Sequence, residues 1–198
     1  MTLIAVWQQR DEILVAGDTG ATAPGVLVPS SKVWQIADLP LVWGYSGQVV
    51  YAEPLRSRIE AFRPGTWDEL RELLRQLAAE ANRRARSEAA EAGLAAYQLD
   101  RRLVWLVVAG FIDGIGRVLE TDTDGAADFN SIQVTYVGSG REGGFLASAV
   151  LERLGHPLDV FAMRAVMESV VNSQRSQLAE PIEYWRITAG GAERVAPT

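Results

Sequence analysis

Three residues in the first 32 positions have the right types for hydrolytic chemistry: Thr2, Asp18 and Lys32. Removal of Met1 would make Thr2 the chain terminus. A hydroxyl and a free α-amine would then sit on one residue, a nucleophile with its own base. The α-amine has a reference pKa of about 7.7–8.0, so a usable fraction is unprotonated near neutral pH. A serine or an internal threonine would need a separate histidine. The chain has one, His156, and no cysteine, so His-paired hydroxyl and thiol mechanisms are poorly supplied.

Lys32 is the only lysine; the remaining 18 of the 19 basic residues are arginine. Arginine is a wide, permanently charged fork, whereas lysine is a compact charge whose pKa shifts readily. Beside an N-terminal amine, the Lys32 ammonium would favour the neutral, base-competent form of that amine, because like charges oppose each other's ionisation. Asp18 would anchor the ammonium. Taken singly, Lys32 reads better as a surface lysine and Asp18 as a turn residue. It is the set of three that points to chemistry.

The elements that must position these residues follow from periodicity. Leu3–Trp7 and Glu12–Ala16 are apolar runs around a polar Gln8–Asp11 turn, an antiparallel hairpin. Val26–Val28 and Val33–Ile36 are expected to pair, and Leu41–Trp43 to form a buried strand ending at Gly44, so that the first 47 residues make one sheet. Ala52, Leu55, Ile59 and Phe62 share one helix face, and Pro54 would kink a helix begun at Gln48. Thr66 and Glu69 form a capping box. The next helix, striped by Leu70, Leu73, Leu74, Leu77 and Ala81, is expected to run to about Glu91. Leu103–Phe111 reads as a strand buried on both faces, and Asp113–Gly116 turns it into Arg117–Thr121.

Asp122–Gly125 resembles the start of a calcium loop but lacks its downstream glutamate and flanking helices. Ile132–Val137 reads as a strand ending at Gly138-Ser139-Gly140. Phe145, Ala149 and Val150 mark one helix, and Leu158 to Val170 a second. Ile182–Ile187 is a last strand, followed by a loose tail from Gly190-Gly191.

Bulk properties bound the function. At 198 residues the chain suits one domain over 1–198. A net charge of −6 gives no electrostatic support to a nucleic-acid partner. No apolar run reaches the roughly 20 residues that span a bilayer, and Met1–Trp7 lacks the basic start of a signal peptide. A cytoplasmic protein without membrane contact is expected. Absence of cysteine excludes disulfides and thiolate metal sites. The six tryptophans suit a core or a buried interface equally.

The order Thr2, Gly17-Asp18, Lys32-Val33, Gly44-Tyr45-Ser46-Gly47 and Gly138-Ser139-Gly140 resembles the β-type subunits of the 20S proteasome and their bacterial relatives, all N-terminal-nucleophile hydrolases. The resemblance runs from Thr2 to about Trp185. It implies an α+β fold, the four-layer αββα sandwich, in which stacked sheets are covered outside by helix pairs. It implies Thr2 as nucleophile, Asp18 as the acid holding Lys32, and the Gly47 N–H as oxyanion donor. Ser139 would support the α-amine. Glycine at 44 and 47 is equally expected at a strand-to-helix junction for backbone reasons, and Ser139 as a helix cap.

The chain departs from the family pattern in two places. Ser176 stands where the family has an Asp, and Ala179 where it has a Ser, with Glu180-Pro181 replacing the usual Gly-Gly. An extended substrate would lie near Thr22 and Gly47, with Ala21, Tyr45 and Val49 lining its first specificity pocket. These three are also ordinary core-packing types.

The expected function is a proteasome-like threonine-type endopeptidase cleaving polypeptides, without metal or organic cofactor. The resemblance implies a homo-oligomeric ring or helical stack, working with an ATP-dependent unfoldase. Maturation is expected to need only removal of Met1. Two alternatives stand beside it. One is a catalytically silent assembly or interaction subunit of the same fold, and the other is an N-terminal-nucleophile amidase acting on small amides.

Overall fold

The computed structural model describes residues 2–23, 26–100, 102–129, 134–138, 160–173 and 181–196. Its strands are β1 (Leu3–Gln8), β2 (Ile13–Gly17), β3 (Gly20–Ala23), β4 (Val26–Pro29), β5 (Val33–Gln35), β6 (Leu41–Ser46), β7 (Trp105–Ile112), β8 (Ile115–Thr121), β9 (Ala127–Phe129), β10 (Val134–Gly138), β11 (Glu183–Thr188) and β12 (Gly191–Val195). The described helices are α1 (Val49–Glu60), α2 (Trp67–Glu91), α3 (Ala96–Asp100) and α4 (Val160–Ser173).

Two five-stranded antiparallel sheets carry the fold. One runs β10-β1-β2-β11-β12 and the other β5-β6-β7-β8-β9, while β3 and β4 pair as a separate ribbon. Three apolar clusters fill the spaces between layers. Ile4, Val6, Ile13 and Val15 face Val33, Val42, Val107 and Val118 between the sheets. Leu3, Ala5, Trp7, Leu14 and Ala16, alternating with those residues along β1 and β2, face Met163, Val166, Met167 and Val170 of α4. Leu41, Trp43 and Tyr45 of β6 face α1 and α2. The period-two alternation of each strand thus feeds two cores. The result is the expected αββα layering.

The hairpin of β1 and β2 forms as expected, with Val6 opposite Val15. The expectation of one sheet over the first 47 residues is not met. β1 and β2 belong to one sheet, and β5 and β6 to the other. Val26–Pro29 pairs with Gly20–Ala23 rather than with β5, and β5 pairs with β6. An apolar run reports that a strand is buried, not which sheet takes it.

α1 begins at Val49 with Gln48 at its N-cap, and Pro54 lies in its second turn. Pro54 has no N–H to bond the Val50 carbonyl. α1 ends at Glu60, so Phe62 lies past it yet still packs on the helix-side core. At α2 the Thr66 hydroxyl accepts the Glu69 N–H at 3.2 Å. The Glu69 carboxylate reaches the Gly65 N–H at 2.7 Å, one residue earlier than a full capping box requires. α2 ends at Glu91. The strand expected over Leu103–Phe111 begins at Trp105, whose side chain is 41% exposed. The Gly190-Gly191 segment is no loose tail: Gly191 pairs with Thr188, and β12 returns along β11. The helix expected around Phe145–Val150 lies outside the described residues.

Candidate active site

The pairing of β1 with β2 sets Ile4 opposite Gly17 and brings Asp18 beside Leu3. The Asp18 N–H donates to the Leu3 carbonyl at 3.0 Å. Asp18 Oδ1 accepts the Leu3 N–H at 2.7 Å. One aspartate therefore holds both main-chain groups of the residue after Thr2. Asp18 Oδ2 accepts the Gly20 N–H at 2.8 Å, an aspartate turn that launches β3.

Lys32 immediately precedes β5 and reaches this point from the other sheet. Its Nζ donates to Thr2 Oγ1 at 2.8 Å and forms an ion pair with Asp18 Oδ1 at 3.8 Å. Thr2, Asp18 and Lys32 are all buried, at 5%, 0% and 3% exposure. Two missing side chains make the approach possible. A Cβ on Gly17 would stand 2.5 Å from Val33 Cγ2, and one on Gly44 would stand 2.7 Å from the Lys32 carbonyl oxygen. The Lys32-Val33 segment lies between them.

Burial sets the electrostatics. It raises Asp18 above its ordinary 3.8, opposed by the Lys32 charge and the Leu3 and Gly20 N–H groups. It lowers Lys32 below its ordinary 10.5, opposed by Asp18. Both shifts follow from the cost of taking a charge out of water. An ammonium 2.8 Å from a hydroxyl oxygen stabilises the alkoxide of that hydroxyl, and does so more strongly where water is excluded.

Gly47 follows β6 with φ +119°. A side chain there would stand 2.2 Å from the Leu103 carbonyl oxygen, so backbone conformation and space both require glycine. Tyr45 is 1% exposed and its ring stacks on Trp34 with centroids 5.5 Å apart. Val49 is 44% exposed at the start of α1. Ala21 and Thr22 lie on β3. Ser139 and Ser176 lie outside the described residues. Concavities of about 470 and 330 Å³ open elsewhere on the surface, and neither is lined by Thr2, Asp18 or Lys32.

The sequence reading missed a supporting network. Ser31 Oγ donates to both carboxylate oxygens of Glu183, at 2.6 and 2.8 Å, and Arg194 pairs with the same carboxylate. Glu183 stands opposite Gly17 and is 8% exposed. The residue before Lys32 is thereby tied to β11. The available signal was a charge at the head of the apolar strand Ile182–Ile187.

No protein-family model matches the chain, and no curated protein does. Solved structures do. An Anbu (ancestral beta-subunit) from Yersinia bercovieri superposes with a TM-score of 0.74 at 15% identity, over 100% of this chain and 88% of that one. An Anbu (Gly-1) mutant from Hyphomicrobium sp. strain MC1 gives 0.71 at 11% identity, over the same shares. A eukaryotic HslV from Trypanosoma brucei gives 0.62 at 21% identity, over 94% and 99%. The chain has the fold of the proteasome-type N-terminal-nucleophile hydrolase subunits.

Proposed function

We propose that the chain is a threonine-type peptidase subunit of a proteasome-like assembly, active once Met1 is removed. The observation that carries this reading is the hydrogen bond from Lys32 Nζ to Thr2 Oγ1 at 2.8 Å. The chain's only lysine meets the one residue that would combine hydroxyl and terminal amine. In the proposed reaction Thr2 Oγ attacks a peptide carbonyl and its α-amine takes the hydroxyl proton. The Oγ–acyl bond forms, the C–N bond breaks, and the proton passes to the leaving amine. Water then cleaves the ester and restores Thr2. Lys32 stabilises the developing alkoxide and disfavours protonation of the α-amine. The Gly47 N–H holds the oxyanion, a contribution of about 2.7–4 kcal/mol for donors of this kind.

The proposed substrate is an extended polypeptide added along β3, which among the described residues pairs only with β4. Ala21, Thr22 and Val49 would meet it, with Tyr45 beneath. Ser139 and Ser176 are proposed to support the α-amine. Neither a metal nor an organic cofactor has a step in this chemistry. The proposal extends to a homo-oligomeric ring or helical stack, an ATP-dependent unfoldase, and the cytoplasm as the compartment. Among the described residues no helix is long and apolar enough to cross a membrane.

Two measurements test it together: the intact mass of the native protein, and its reaction with a peptide epoxyketone, which needs hydroxyl and free amine on one residue. The expected result is a mass one methionine short and one adduct per chain at Thr2. Thr2→Ala abolishes the adduct, and Lys32→Met slows it strongly. Met1 retained in the native host, or a trimmed protein that forms no adduct, overturns the reading.

A further inference from the structure

We infer that Asn82, a helix residue with no part in the chemistry above, is a positioning residue for the Gly47 N–H. The inference rests on the proposed role of that N–H as oxyanion donor. Asn82 is fully buried on α2 at 0% exposure, in a stripe otherwise made of tryptophan, leucine and alanine. A buried amide is costly unless its hydrogen bonds are met, and here they are. Asn82 Oδ1 accepts the Val104 N–H at 2.6 Å. Asn82 Nδ2 donates to the Val104 carbonyl at 2.9 Å and to the Thr123 carbonyl at 3.1 Å.

The place of this clamp matters. The ladder between β6 and β7 ends at Ser46 opposite Trp105, so Val104 lies one residue past the last strand pair. The side-chain amide of Asn82 takes over both of its main-chain groups where β6 turns away. Gly47 packs on the same segment. A Cβ on Gly47 would stand 2.2 Å from the Leu103 carbonyl oxygen and 3.0 Å from Val104 Cα, and the Gln48 N–H points to the Arg102 carbonyl at 3.5 Å. Gly47, which carries that N–H, therefore rests on Leu103-Val104, and Asn82 fixes Val104 from α2. A displacement of about 1 Å at a reacting centre can cost about 10²-fold in rate, so a loosened Val104 is felt at the oxyanion.

Two reagents separate this role from general damage. A β-lactone acylates Thr2 through a tetrahedral oxyanion: Oγ bonds to the carbonyl carbon, the ring C–O bond breaks, and the ring oxygen takes the proton. A peptide vinyl sulfone adds Oγ to its alkene carbon. The π pair moves to the carbon beside sulfur, which then takes the proton, and no carbonyl oxyanion forms. The experiment compares both labelling rates in wild type, Asn82→Asp, Asn82→Ala and Ala85→Gly, the last a helix-weakening control on the same buried stripe. Expected is a β-lactone rate lowered about tenfold or more in the Asn82 variants, the vinyl sulfone rate within about twofold of wild type, and Ala85→Gly changing both little and equally.

Equal loss with both reagents, or no loss with either, overturns the positioning role. Failure of wild type to react with either reagent overturns the peptidase reading instead. Should both Asn82 variants fail to fold, hydrogen exchange in the wild type decides. The Val104 amide must exchange as slowly as the β7 amides, and rapid exchange there overturns the inference.

Discussion

Val33 sets its Cγ2 methyl over Gly17, 2.5 Å from where a side chain at that residue would begin. The contact crosses from one sheet to the other, and it brings Lys32 within reach of Thr2. Gly17→Ala and Gly44→Ala should therefore each destabilise the fold, by about 1–3 kcal/mol for overpacking of this kind. Gly44→Ala should cost more, because its Cβ meets the Lys32 main-chain oxygen at 2.7 Å, which cannot rotate away. Urea denaturation measures both. Adding Val33→Ala to Gly17→Ala should recover most of the loss, and should leave Gly44→Ala unimproved.

The buried pair titrates in opposite senses. Asp18 is raised, chiefly by burial, so its contribution to stability is complete below its ordinary 3.8 and is lost as pH rises through the folded value. Lys32 is lowered, again chiefly by burial. Its contribution is present above its ordinary 10.5 and is lost as pH falls through the lowered value. Both costs therefore fall in the pH range between. The double variant Asp18→Asn, Lys32→Met should show a flatter stability–pH profile than wild type, read from urea midpoints. The alkaline limb of Thr2 labelling should lie below pH 10.5, where Lys32 loses its charge.

Tyr45 should stay un-ionised until the protein unfolds at alkaline pH. Burial, with the nearby Glu53 charge, pushes it up to about 12 from its ordinary 10.0. A raised value means that its contribution holds below 10.0 and disappears as pH rises through about 12. Tyrosinate absorbance should show Tyr45 ionising with alkaline unfolding rather than before it. Tyr45→Phe should flatten the alkaline loss of stability over that interval.

Thr66→Ala removes the oxygen that accepts the Glu69 N–H, and should cost about 1 kcal/mol in a urea titration. Thr66→Asn should keep most of that, since asparagine caps as well as threonine does. Labelling of Thr2 should stay near wild type in both, because this helix end holds none of the three buried site residues.

What the sequence disclosed was mostly local. The β1–β2 hairpin, the Thr66 cap, the end of α2 and the β7–β8 turn at Asp113-Gly114 each have their signal within a few residues. Thr2, Asp18 and Lys32 were singled out as a set because lysine is otherwise absent, and the three side chains lie together at one buried point. Sheet membership was not legible. β5 opens on an apolar run as β1 does, and only its partner β6 says which sheet it joins. The Gly190-Gly191 pair looked like an ending, but Gly190 lies in a hairpin turn and Gly191 begins β12. Glu183 and Asn82 were passed over because polar types read as surface, while each is buried against main-chain or hydroxyl partners supplied by distant segments.

Thr2 and Asp18 come from one sheet and Lys32 from the other, and the seam between them closes only when Val33 seats against Gly17. A chain with either sheet formed alone has the threonine without its ammonium. The same contact that completes the core thus works as an interlock. Under the proposed function, Thr2 would then be armed only in a chain whose two sheets have joined.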